Sequence, residues 1–309
     1  MVKVINQDSG ENWSMYQGDS CEVIKGIPDE SIGLSMFSPP FAQLYSYSNS
    51  DRDMGNSKDY DEFFTHFKFL SDELFRVMKP GRVVAIHCID IPAMKERDGH
   101  IGLKDFPGDI IKLFVGSGFI YHSRVTIWKD PLIEATRTKA LGLMHKQLCK
   151  DSHICRMGLP DYVIALRKPG ENQIPITHPN GLSEYYGSDD PGGSGVKRSH
   201  FIWRAYATPI WMDVRQSNTL NKTAARDEKD EKHICPLQLD TIERMRVLWS
   251  FDGDTVLSPF AGIGSEGYVA VKNNRKFIGI ELKDSYYKCA VENLKNAESN
   301  ADRQASLFS

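Results

Sequence analysis

The chain has no apolar run of membrane-spanning length. Its first residues, Met1-Val2-Lys3-Val4-Ile5-Asn6, carry no apolar signal region, so a cytoplasmic protein is expected. It also lacks a dense cysteine framework. The six cysteines, Cys21, Cys88, Cys149, Cys155, Cys235 and Cys289, are scattered over 309 residues, which speaks against a disulfide-stapled scaffold and fits reduced thiols. Nor is there an excess of one charge. A net charge of -3 and a pI near 6.3 argue against a protein that coats nucleic acid nonspecifically. One basic cleft remains compatible with that balance, because the local field matters more than the sum. There is no internal repeat, no long low-complexity segment and no nuclease motif. What is left is an enzyme-sized chain, 40% hydrophobic and 26% charged. It has room for one large α/β domain, or a catalytic domain with a modest insertion.

Short β-rich runs alternate with segments of helical period, the pattern of a parallel sheet with crossover helices. The runs are 14–17, 33–37, 82–88, 124–128 and 162–167, then 255–257 and 277–281 after a long irregular stretch. Helices are expected over 61–78, which stops at Lys79-Pro80-Gly81, and over 236–251, 263–273 and about 285–298. The middle, 168–231, breaks the rhythm with Pro169-Gly170, Pro179-Asn180-Gly181 and the turn-rich 189–195. Lys197, Arg198, His200, Phe201, Trp203, Arg204, Tyr206, Trp211 and Arg215 crowd the same region, which reads as an insertion into one α/β sheet. The run 226–233 is mixed in sign and reads as a solvated helix face.

Two segments carry chemistry. Ser38-Pro39-Pro40-Phe41 directly follows the apolar run 33–37. Two prolines there end the strand and fix the backbone. A hydroxyl, a rigid carbonyl and an aromatic face at one point suit a planar base held by its amino group, although alone the segment is an ordinary turn. The second segment is Ser258-Pro259-Phe260-Ala261-Gly262-Ile263-Gly264-Ser265, between a strand and a helix. A glycine turn at that junction lets backbone approach a ligand, with the helix N-terminus facing it. Glu281 ends the next apolar run, where an acidic residue about 20 positions on usually holds a ribose diol. A dinucleotide enzyme is the weaker reading, because the third glycine is missing from its usual place.

Together these segments resemble the DNA amino-methyltransferases acting on cytosine N4 or adenine N6, in their permuted beta-type order. In that order the amino-group motif comes first, a target-recognition region next and the Phe-x-Gly-x-Gly cofactor motif last. The resemblance covers about residues 14–295. It implies a Rossmann-like, S-adenosylmethionine-dependent fold with a mostly parallel seven-stranded sheet. The catalytic half would span 14–167, the target-recognition insertion 168–231 and the cofactor-binding half 232–298. It implies further that Asp19 lies near the cofactor adenine and that the 127–131 segment, with Trp128, borders the base pocket. The stretch 232–236, with His233 and Pro236, would wrap the methionine end of the cofactor. Ser258 stands where aspartate is frequent, and Gln238 where proline is common.

The cofactor set is thus Asp19, His233, Pro236, Ser258, Pro259, Phe260, Gly262, Gly264 and Glu281, and the catalytic set Ser38, Pro39, Pro40 and Phe41. The flipped base would stack on Phe41 and donate from its amino group to the Ser38 hydroxyl and the Pro39 carbonyl. Tyr45, Arg52, Trp128, Lys197, Arg198 and Arg204 are the expected contacts to double-stranded DNA. In the family it resembles, serine before Pro-Pro is more typical of cytosine-N4 enzymes and aspartate of adenine-N6 enzymes, so the resemblance favours cytosine N4 over adenine N6. A solitary methyltransferase is expected; a homodimer and a separately encoded restriction endonuclease are both compatible with the resemblance. A catalytically silent specificity module, or an RNA or protein-glutamine methyltransferase, are the rival readings. His145, Cys149, His153 and Cys155 match no common zinc spacing, and no metal is expected.

Overall fold

A computed structural model describes residues 4–40, 57, 59–93, 95–138, 148–153, 157–178, 182, 195–221 and 236–307; for 97, 135–138, 195–199 and 301–307 it describes the backbone alone. The strands are β1 (Asn6–Ser9), β2 (Trp13–Gln17), β3 (Ile32–Phe37), β4 (Met78–Cys88), β5 (Ile91–Ala93), β6 (Gly102–Lys104), β7 (Ile120–Ile127), β8 (Asp161–Arg167), β9 (Ile210–Trp211), β10 (Thr255–Ser258) and β11 (Lys276–Glu281). The helices are α1 (Ser20–Val23), α2 (Tyr60–Val77), α3 (Lys95–Asp98), α4 (Phe106–Gly116), α5 (Pro131–Thr138), α6 (Gly195–Ala207), α7 (Leu239–Trp249), α8 (Ser265–Lys272) and α9 (Asp284–Leu307).

One sheet runs β1-β2-β11-β10-β3-β4-β8-β7-β9. Its five central strands, β2, β11, β10, β3 and β4, are mutually parallel, and β8 turns antiparallel between β4 and β7. The expected seven strands are all present, and among the described residues the sheet gains two more. β1 pairs antiparallel with β2 at one edge, and β9 pairs parallel with β7 at the other. β9 lies inside the 168–231 stretch, so that stretch also extends the main sheet.

Alternate residues of each strand face opposite sides, and both sides are covered. On one, Phe63, Phe67, Leu70 and Leu74 of α2 join Ile110 and Phe114 of α4 against Phe37, Val84, Ile86 and Leu257. On the other, Ile242 and Met245 of α7, Val269 of α8 and Leu294 of α9 pack on Leu34, Met36, Val256 and Phe277. Burying each such side chain contributes about 1.5–3 kcal/mol. Helix α2 begins where Asp59 accepts a hydrogen bond from the Glu62 amide at 2.8 Å. At its other end Arg76 donates to the Ile24 and Ile27 carbonyls at 3.0 and 2.8 Å, which binds the helix to the turn after α1. No described helix is long and apolar enough to cross a membrane.

Candidate active site

Strands β3 and β10 are parallel neighbours, with Leu34 opposite Val256 and Ser35 opposite Leu257. The Ser35 hydroxyl donates to the Leu257 carbonyl at 3.0 Å and locks that register. The segments leaving their carboxyl ends, Ser38 onward and Pro259 onward, therefore emerge side by side, about 4.8 Å apart. From β3 the chain crosses one way to β4; from β10 it crosses the other way to β11. In open α/β sheets the crevice at such a reversal is where ligands bind.

The glycine turn is built as the sequence suggests. Gly262 and Gly264 both have positive φ, 53° and 83°. A Cβ at Gly264 would press on Ala290 of α9 at 3.2 Å, whereas one at Gly262 would meet nothing within 4 Å. Glycine is needed at 264 for helix packing; at 262 it leaves open space. Beside that space sits Glu281, accepting from the Gly262 amide at 2.8 Å and from the Lys283 amide at 2.9 Å. The Gly18 amide donates to the Glu281 carbonyl at 3.0 Å, and the Ser20 hydroxyl bonds the Pro259 carbonyl. Asp19, between them, caps α1 by accepting from the Cys21 amide at 2.8 Å. Asp19, Pro259, Gly262, Gly264 and Glu281 thus converge from three strand ends. An open glycine face beside a carboxylate fits a nucleoside diol.

Of the other expected cofactor residues, three are described. Ser258 is fully buried in β10, with no hydrogen-bond partner for its hydroxyl. Phe260 is wedged between Phe37 and Phe67, at centroid distances of 5.7 and 6.4 Å, so it joins the two loops by packing. Pro236 is half-buried two residues ahead of Gln238, the N-cap of α7. His233 lies outside the described residues.

Glu266, buried in the first turn of α8, has its carboxyl pushed up to about 8 by burial, with Glu281 adding to the effect. Its native affinity for a proton exceeds the unfolded one, so its share of stability is full below about pH 4.5 and is lost as pH rises through about 8. Thermal melts of Glu266→Gln should therefore vary less between pH 5 and 8.5 than those of the wild type. Parallel curves would contradict this.

In the amino-group loop Ser38 and Pro40 are half-buried and Pro39 is buried. The Ser38 Oγ lies 2.9 Å from Nδ1 of His87 on β4. His87 Nε2 is 3.2 Å from Asp161 Oδ2 at the start of β8, and Lys129 pairs with the other Asp161 oxygen. Burial alone would raise the Asp161 carboxyl, but His87 and Lys129 hold it below the usual carboxylate range. Neither His87 nor Asp161 is legible in the sequence, whereas Lys129 falls in the 127–131 segment expected to border the base pocket. Phe41, Tyr45 and Arg52 lie outside the described residues.

On the β7–β9 side, Trp128 is half exposed and its amide donates to the Trp211 carbonyl at 2.9 Å. Helix α6 exposes Phe201, Trp203 and Arg204, and buries Ile202 and Tyr206 against Val247 of α7. The Arg244 guanidinium is fixed over the Tyr206 and Trp211 rings and paired with Asp213 at 2.6 Å. Lys197 and Arg198 belong to the same helix, described there as backbone. Of the four residues weighed as zinc ligands, His145 and Cys155 lie outside the described residues, and the exposed His153 lies 2.6 Å from Asp151.

Residues 32–292 match the family model described as DNA methylase, the N6/N4 methyltransferases. The chain therefore belongs to the N6/N4 DNA methylase family. It is 43% identical to the DNA adenine methyltransferase YhdJ of Escherichia coli K12 over 286 residues, covering 91% of this chain and 82% of that protein. Among solved structures it is similar to the PvuII DNA methyltransferase, described as cytosine-N4-specific, with a TM-score of 0.63, 18% identity, and 97% and 96% of the two chains covered. It is similar also to a DNA modification methylase of Thermus thermophilus, solved with S-adenosyl-L-methionine. That match has a TM-score of 0.63, 21% identity, and coverage of 93% and 96%.

Proposed function

We propose that the chain transfers a methyl group from S-adenosylmethionine to the exocyclic amino group of a base flipped out of double-stranded DNA, cytosine N4 being favoured over adenine N6. The observation that carries this reading is the half-buried Ser38 hydroxyl at the end of β3, beside the glycine turn that ends the adjacent β10. Bound between Asp19, Gly262 and Glu281, the cofactor supplies an electrophilic methyl group on sulfonium sulfur. Residues 14–167 and 232–298 form the two halves of one catalytic domain, and 168–231 carries target recognition, with Lys197, Arg198 and Arg204 as candidates for phosphate or base contacts.

The chemistry asked of the chain is small but specific. A base amino nitrogen is conjugated with its ring and is a poor nucleophile. Acceptors at Ser38 Oγ and the Pro39 carbonyl favour a pyramidal nitrogen and free its lone pair. Acceptors matched to that geometry lower the barrier more than they tighten ground-state binding. The remaining task is alignment, which the two adjacent loops perform. Cytosine is favoured because serine ahead of Pro-Pro is more typical of the family's cytosine-N4 enzymes, and aspartate of its adenine-N6 enzymes.

Transfer of labelled methyl groups to DNA, RNA and protein, run in parallel, tests the substrate class: label is expected in DNA, and label confined to RNA or protein would overturn the reading. No transfer at all would favour a silent specificity module. Calorimetry tests the cofactor cradle. Glu281→Ala is expected to raise the S-adenosylmethionine Kd about 10- to 100-fold, from the ~1.5–3 kcal/mol of a hydrogen bond to a charged group. Gly262→Val should weaken binding comparably by filling the open face; unchanged affinity in both would dissolve the proposed cradle.

A further inference from the structure

The register of β3 on β4, with Phe37 opposite Ile86, carries on one step to set Ser38 beside His87. From there a line of polar groups, buried at His87 and Asp161 and half-buried at its ends, crosses the sheet: Ser38 Oγ to His87 Nδ1 at 2.9 Å, His87 Nε2 to Asp161 Oδ2 at 3.2 Å, and Asp161 to Lys129. Asp161 is 1% exposed and His87 8%. Burying a carboxylate and an imidazole between strands is costly unless they are paired. Aliphatic residues would hold β4 against β8 as well. We propose that His87, oriented by the Asp161–Lys129 pair, is a positioning residue for the methyl transfer, acting through the Ser38 hydroxyl as director of its proton and as the final proton acceptor.

The proposal rests on the reading that Ser38 contacts the base amino group. A hydroxyl has one proton and two lone pairs, so it can donate or accept, whereas the amino group donates. Ser38 accepts from the base only if its own proton points elsewhere. With the Asp161 carboxylate 3.2 Å from Nε2 favouring a proton there, the His87 ring presents Nδ1 as an acceptor, and the Ser38 proton goes to it. Both Ser38 lone pairs then face the substrate.

The same line settles the proton balance. The nitrogen lone pair forms the new C–N bond, the S–C electron pair leaves with sulfur, and the methylated nitrogen is left with one proton in excess. That proton passes to Ser38 Oγ as the Ser38 proton passes to His87 Nδ1. The resulting imidazolium stands against the Asp161 carboxylate and returns its proton to solvent after product release. A serine backed by a histidine in this way does what a carboxylate does alone.

The test is a double-mutant cycle on the full chain, with unmethylated genomic DNA and labelled S-adenosylmethionine. His87→Leu is expected to lower kcat about 100-fold, the worth of a positioned proton acceptor, with the cofactor KM changed less than threefold. His87→Asn, which keeps an acceptor but cannot take up a proton, should recover part of that loss, and it serves as the second variant if His87→Leu fails to fold. In a Ser38→Ala background, neither His87 substitution should lower kcat further by more than about twofold, because what acts through Ser38 is already gone. Multiplying losses would show His87 to be merely structural, and so would wild-type kcat in both His87 variants. Wild-type kcat in Ser38→Ala would instead overturn the reading of the loop itself, and this inference with it.

Discussion

Ser38→Ala is expected to lower kcat for DNA methylation about 100-fold while changing the S-adenosylmethionine Kd less than about threefold. The size follows from removing one acceptor that is matched to the reacting nitrogen, typically a 10²–10³-fold effect for a preorganised hydrogen-bonding group. The asymmetry follows from position. The cofactor turn is tied together by Gly18, Ser20, Gly262 and Glu281, while Ser38 bonds across to His87 on the other neighbouring strand. Stopped-flow turnover and calorimetry on the same preparation separate the two quantities. Equal losses in kcat and cofactor affinity would mean that Ser38 shapes the cofactor site instead.

The largest effect on stability is expected from Asp254→Ala. Arg82 and Asp254 form an ion pair with almost no exposure, between β4 and the residue that opens β10. Arg82 also donates from Nε to the Gly33 carbonyl at 2.7 Å and lies 5.0 Å from the Phe251 ring centroid. The Asp254 carboxyl fills the space over Gly33, where a Cβ would collide with it. The pair therefore joins β3, β4 and β10, the strands that carry both functional loops. Removing Asp254 leaves a guanidinium buried without its counterion, which costs about 3–5 kcal/mol. Burial already pulls Arg82 down to about 10. At about 2–4 °C per kcal/mol for a chain of this size class, the Tm should fall by roughly 10 °C. A fall of under 2 °C would show that water or another group compensates the arginine.

The sequence made some of this legible and hid the rest for identifiable reasons. The runs 33–37 and 82–88 became strands buried on both faces, so their hydrophobic signal is continuous, whereas 14–17 and 124–128 bury alternate residues. β1, Asn6-Gln7-Asp8-Ser9, has no apolar residue and exists through pairing with β2. β9 is two residues long and is recruited by β7 from inside the irregular middle. Helix α4 is absent from the expected helices although its signals are local: Asp105 caps it, and Phe106, Ile110 and Phe114 fall on one buried face. The glycine turn and Glu281 were legible because their spacing is local to one βαβ unit. His87 and Asp161 were not, since neither stands at a fixed distance from Ser38 in sequence. Only the register of β3, β4 and β8 brings them to it.

The most direct test of the central claim is to digest DNA methylated by the purified protein to nucleosides and weigh the modified base. The account predicts a methyl group on an exocyclic amino nitrogen, as N4-methylcytosine. N6-methyladenine would keep the amino chemistry and reverse the choice of base. Methyl groups found only on ring carbon, as 5-methylcytosine, would contradict the account at its root.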